Sequence, residues 1–92
     1  MTNFTLEQKA AIEKALGYRT GWITDKIKEA VNELLRSEKI EMADTNKITG
    51  LVLDLVYTRD IKTGNFKHSY ESMAEKSSEL YKILRKYSTI YV

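Results

Sequence analysis

The sequence predicts an all-α fold, an antiparallel up-and-down bundle of four helices. Three observations lead there. Apolar residues recur at steps of three and four in several separate stretches, helix-starting residues stand just ahead of them, and proline is absent, so nothing interrupts a helix from within. The links between the stretches are short, which favours antiparallel neighbours.

The first helix is expected over Leu6 to Leu16. Thr5 with Gln8 three residues on forms a capping box, and Leu6, Ala10, Ala11, Ile12, Ala15 and Leu16 follow with helical spacing. Gly17 is placed to end it with a left-handed cap, and the link GYRTG closes at Gly21. Thr20 or Thr24 caps the second helix. Its stripe of Ile23, Ile27, Ala30, Val31, Leu34 and Leu35 opposes a charged side with Lys26, Lys28, Glu29, Glu33 and Arg36, which makes it the clearest amphipathic segment.

The helical period lapses through SEKIEMADTN, and Asp44 or Thr45 is the expected cap of a third helix running through Ile48, Leu51, Val52, Leu55 and Val56, with Ile61 its furthest apolar position. Leu53 and Tyr57 give this helix a second apolar face, so neighbours must cover it on several sides. A rival reading exists. LVLDLVY is rich in strand formers, and Thr63-Gly64 suits a tight turn between Ile61 and Phe66, which would make a β-hairpin. Ser69 caps the fourth helix, whose stripe is Tyr70, Met73, Ser77, Leu80, Tyr81, Leu84 and Tyr87; Lys82, Arg85 and Lys86 lie off it, favourably placed near a helix C-terminus. The closing STIYV is an apolar aromatic tail without a local packing partner.

Ninety-two residues, 42% hydrophobic and 30% charged, describe one ordered domain, 1–92, with a thin single core. The absence of cysteine removes disulfides and thiolate metal sites and fits a reducing cytoplasm. The start MTNFTLEQKA carries neither a signal peptide nor a spanning segment, and a formal charge of +2 is too small to drive strong nucleic-acid binding.

Catalytic chemistry finds little footing. His68 is the only histidine; it adjoins Ser69, but nothing supplies an orienting acid or an oxyanion hole. Asp54, the one charge in GLVLDLVY, reads better as an edge residue or as the partner of a neighbouring Lys or Arg than as an acid or base of raised pKa. GYRTG lacks the lysine and hydroxyl of a phosphate loop. No enzyme activity, cofactor or metal is expected. What remains is a basic, aromatic C-terminus, Lys82, Arg85 and Lys86 interleaved with Tyr81, Tyr87 and Tyr91 and followed by Ile90 and Val92, suited to contact with a protein or a membrane.

A helix ending near Leu35 is followed by Lys39-Ile40-Glu41-Met42, then Ile48, Leu51-Val52, Leu55, Tyr57-Thr58 and, past a polar connection, Phe66 and Glu71. In order and spacing, residues 31–73 resemble the immunity proteins of pediocin-like bacteriocins, in particular the enterocin A immunity family. The resemblance implies a soluble cytoplasmic four-helix bundle that protects its producer without catalysis. It would work at the inner membrane face by associating with the mannose phosphotransferase permease once bacteriocin is bound there. It also implies that the C-terminal part decides which bacteriocin is resisted, here Lys82, Arg85, Lys86, Tyr87, Ile90, Tyr91 and Val92. A monomer is expected. The alternative, from another class, is a small phage or mobile-element protein that inhibits a host defence complex by binding it; a nucleic-acid-binding bundle is a third reading.

Overall fold

A computed structural model describes residues 4–37 and 39–91. Four α-helices form, α1 (Leu6–Leu16), α2 (Asp25–Leu35), α3 (Met42–Val56) and α4 (Tyr70–Tyr87), and a single 3-10 turn, Thr89–Tyr91, follows the last. No β-strand longer than an isolated bridge occurs among the described residues.

Local chemistry explains most of the helix starts. Thr5 and Gln8 make the reciprocal capping box, Thr24 rather than Thr20 caps α2 by accepting from the Ile27 N–H, and Ser69 caps α4 by accepting from the Ser72 N–H. Thr20 has another role: its hydroxyl donates to the Leu55 carbonyl at 3.0 Å and fastens the α1–α2 link to the end of α3. Gly17 ends α1 in ordinary right-handed conformation, φ −73°, so the left-handed cap expected there does not form.

α3 begins at Met42, ahead of both expected caps. Its N-cap, Glu41, makes no side-chain capping bond. Asp44 lies inside the first turn with its carboxylate turned to α4, and Thr45 is buried with its hydroxyl donating to the Met42 carbonyl at 2.8 Å. Both residues look like caps in sequence, but Asp44 turns to Tyr87 on α4 and the Thr45 hydroxyl is used within the first turn of α3 itself. At the other end LVLDLVY is helical to Val56, yet the chain then reverses in a small hairpin: Arg59 and Phe66 pair as an antiparallel bridge, and Gly64, φ 73°, turns the chain between them. The helical reading of LVLDLVY therefore holds and the strand reading does not; only the turn at Thr63-Gly64 expected of the hairpin forms, closing a single bridge.

The core is drawn from all four helices, centred on Ile12, Val31, Leu34, Ile48, Leu55 and Leu80. Phe4 and Ile40, outside the helices, are also buried in it. α3 packs against α1 and α4, and α2 packs against α1, α4 and the 3-10 turn, while α2 and α3 do not approach backbone to backbone. Consecutive α2 and α3 are therefore not neighbours in the bundle, and Ile40, just ahead of α3, is buried in the core. α3 is covered on two sides only; Asn46, Lys47 and Gly50 face solvent. Pairs between Asp44 and Lys86, Lys47 and Glu79, and Asp54 and Lys76 run antiparallel along α3 and α4.

α4 departs from its expected stripe at three positions. Tyr70 and Tyr81 are largely exposed, whereas Ile83 is buried alongside Leu80 and Leu84. Leu6 on α1 likewise points outward.

Candidate functional site

The expected contact residues at the C-terminus divide into two groups. Lys86 and Tyr87 are engaged internally. The Tyr87 hydroxyl donates to Asp44 at 2.5 Å and accepts, at 3.4 Å, from the Glu41 N–H, while Lys86 Nζ lies 3.0 Å from the same Asp44 oxygen. This clip joins the last turn of α4 to the first turn of α3. The Tyr87 hydroxyl, with Lys86 adding and partial burial opposing, holds the Asp44 carboxyl below the usual carboxylate range. The bond to Asp44 holds Lys86 above its ordinary value, and burial, with the Asp44 bond, pushes the Tyr87 phenol up.

The tail is not free. Ser88 is buried, and Glu33 on α2 accepts from the Thr89 N–H at 2.8 Å and from the Thr89 hydroxyl. The Thr89 hydroxyl, followed by that of Ser88, lowers the Glu33 carboxyl. Ile90 and Tyr91 are half-buried against the core, so the expectation of a protruding apolar tail is corrected for both; its cause is a carboxylate 56 residues away that sequence spacing cannot reveal. Val92 lies outside the described residues. Burial, with Tyr81 adding, pushes the Tyr91 phenol up.

Lys82 and Arg85 stay exposed, and the docked tail builds on them. The Tyr91 ring meets Tyr81 edge to face, centroids 5.0 Å apart, Lys26 of α2 sits 4.8 Å from the Tyr91 centroid, and Arg85 lies 5.7 Å from that of Tyr81. The sequence Arg85, Tyr81, Tyr91, Lys26 is a cation–aromatic ladder laid across α4 and α2 with Lys82 beside it. Lys26 has no local signal that would have joined it to this surface.

The opposite end of the molecule lies about 27 Å away along the 18 residues of α4; of it, the sequence indicates only the turn at Thr63-Gly64. There Trp22 meets Tyr70 with centroids 5.2 Å apart, and Tyr18 meets Tyr57 at 5.8 Å. Three adjoining depressions, of about 530, 660 and 560 Å³, open between the α1–α2 link, the end of α3 and the hairpin; the largest is walled by Trp22, Phe66, Tyr70 and Met73 with Lys67 and His68 at its rim. Ile61 at the hairpin tip is fully exposed.

Two of the groups weighed for catalysis, Asp54 and Ser69, have structural partners. Asp54 pairs with Lys76 at 3.1 Å, the second of its two structural readings, a pair with a Lys or Arg of a neighbour, and the Ser69 hydroxyl is used in capping α4. Among the described residues no three His, Cys, Asp or Glu side chains lie close enough to hold a metal ion, every buried side-chain polar atom has a partner, and no helix is long and apolar enough to cross a membrane.

Comparison with known proteins gives no family model, no curated protein and no solved structure that matches this chain.

Proposed function

We propose that this chain is a stoichiometric immunity protein, protecting the cell that makes it from a pediocin-like bacteriocin by binding, without catalysis, the bacteriocin–permease complex at the cytoplasmic face of the membrane. The likeness of residues 31–73 to the enterocin A immunity family supports this reading. The observation that carries it is the ladder on α4 and α2. Exposed Lys82 and Arg85 flank Tyr81 and the docked Tyr91, a combination of cationic rim and aromatic anchor that serves recognition, since aromatic side chains supply buried area and rim charges steer approach. Four helices of ordinary length provide a rigid platform and leave this face outward.

Docking of the tail changes how this is tested. Removing residues 88–92 would take away Ser88, Ile90 and Tyr91 from their packing as well as from any partner, so lost protection would not separate the two roles. Charge reversal does. Expressed in a sensitive strain challenged with a panel of pediocin-like peptides, the wild-type chain is expected to restore growth against at least one of them. The double variant Lys82→Glu with Arg85→Glu, both on the exposed side of α4, should lose that protection at unchanged helicity. No protection by the wild type, or full protection by the double variant, refutes the proposal.

A further inference from the structure

The charge of this molecule is unevenly placed. Residues 57–69 hold three cations, Arg59, Lys62 and Lys67, and one carboxylate, Asp60, while the other 79 residues carry twelve of each sign. The entire formal charge of +2 therefore resides, on balance, in the link between α3 and α4. Asp60 is occupied in shaping that link, its carboxylate accepting from the Lys62 N–H at 2.7 Å and the Thr63 N–H at 3.3 Å.

The same link carries two strongly exposed apolar side chains. Ile61 is 100% exposed and Phe66 66%, and Tyr70, 78% exposed, follows at the start of α4. These positions are held, not loose. The Asp60 N–H donates to the Asn65 carbonyl and the Lys67 N–H to the Thr58 carbonyl, so the hairpin presents Ile61 at its tip without further ordering on contact. Arg59 covers one face of the Phe66 ring at 4.5 Å, keeping a cation beside the aromatic.

We propose that this hairpin end docks on an anionic phospholipid surface, with Ile61 and Phe66 entering the headgroup boundary and Arg59, Lys62 and Lys67 meeting the lipid phosphates. A convex tip with an outward aliphatic side chain, cations on either side and Tyr and Trp rings behind it fits a fluid plane that demands no shape complementarity; a protein partner would need a cavity matched to the tip. Apolar insertion and attraction to anionic lipid act together in such docking, and neither is enough alone. The inference stands apart from the immunity reading, because it concerns the other end of the molecule and requires no bacteriocin.

Trp22, the chain's only tryptophan, is half-buried against Tyr70 beside this surface and reports on it directly. The full chain is mixed with vesicles of phosphatidylcholine alone, or of phosphatidylcholine with phosphatidylglycerol, and binding is read by co-sedimentation and by the Trp22 emission. Binding is expected on the anionic vesicles only, with a blue shift, and should weaken as salt rises. Each of Arg59→Gln, Lys62→Gln and Lys67→Gln should weaken it about fivefold. Ile61→Asp, at a side chain that touches nothing in its own fold, should reduce it at least tenfold with the far-ultraviolet spectrum unchanged, while the Lys82→Glu, Arg85→Glu variant binds as the wild type does. Equal binding to both vesicles, no binding to either, or indifference to Ile61→Asp overturns the proposal. So does Ile61-dependent binding to immobilised polyglutamate without vesicle binding, which would assign the surface to an acidic protein.

Discussion

Replacing Tyr87 by Phe removes one oxygen and tests whether the clip between α4 and α3 holds the bundle's end together. That oxygen donates to Asp44, whose side chain is 15% exposed, and also accepts from the Glu41 N–H at the long distance of 3.4 Å. A hydrogen bond to a charged group contributes about 1.5–3 kcal/mol; with Lys86 still bonded to Asp44 and water within reach, the lower end applies, about 1.5 kcal/mol. For a domain of this size that corresponds to a fall in Tm of roughly 6–12 °C. The effect must also depend on pH. The folded-state pKa of Asp44 is depressed, chiefly by Tyr87, so its contribution is present above the unfolded carboxylate value and disappears as pH falls through the folded one. The stability gap between wild type and Tyr87→Phe should therefore be full at pH 7 and shrink by more than half in strong acid. Glu33, lowered by other partners, titrates alike in both proteins and cancels. Urea unfolding followed by circular dichroism at the two pH values measures it. A neutral-pH gap below about 0.3 kcal/mol, where surface substitutions fall, or a gap unchanged in acid, would refute the reasoning.

Two further substitutions probe the frame, beside the charge reversal and hairpin variants above. Gly50 sits inside α3 on the solvent side, and an added methyl would meet nothing within 4 Å, so Gly50→Ala should stabilise the protein by about 0.5–1 kcal/mol in the same unfolding assay. Glu33→Ala deletes the acceptor of both Thr89 bonds; it should cost about 1 kcal/mol and make the tail markedly more sensitive to carboxypeptidase, and a tail of unchanged resistance would show that packing of Ile90 and Tyr91 alone holds it.

What could be read from the sequence was what neighbours in the chain decide. Thr5 with Gln8, Thr24 and Ser69 declare helix starts because their partners stand three residues away, and the α2 stripe is legible because one face of a helix repeats. The misreadings share another cause. Asp44 and Thr45 have the chemistry of caps, but Asp44 answers to Tyr87, 43 residues on, and α3 starts earlier at a Glu41 without a side-chain cap. Tyr70 and Tyr81 fit the apolar period of α4, yet their rings lie against Trp22 and Tyr91 at the bundle's edge and Ile83 takes the interior. At the contact surfaces, Lys82 and Arg85 were legible as cations off the stripe. Lys26 beside Tyr91 was not, and at the hairpin end the turn at Thr63-Gly64 was legible while the return of Arg59 onto Phe66 was not.

The two ends of the bundle are built differently. At the end where α2 and α4 finish and α3 begins, the carboxylates of Glu33 and Asp44 accept hydroxyls from Thr89 and Tyr87, and each bond spans more than forty residues of chain. Such bonds fix register, because removing the hydroxyl leaves a half-buried carboxylate short of a partner and removing the carboxylate leaves the hydroxyl unpaired. At the hairpin end the bonds are of a different kind, backbone bonds and those of the Asp60 carboxylate within a short loop and the Thr20 hydroxyl on Leu55, and large apolar side chains are left uncovered. Exposed apolar surface destabilises nothing in the folded state if the helices beneath are pinned elsewhere. A 92-residue chain with one thin core can leave Ile61, Phe66 and Tyr70 in solvent because the register of α3 against α4 is secured at the far end by Tyr87 and along its length by Lys47–Glu79 and Lys76–Asp54. The fold therefore does not rest on the hairpin tip, so that substitutions at Ile61 should leave the bundle in place.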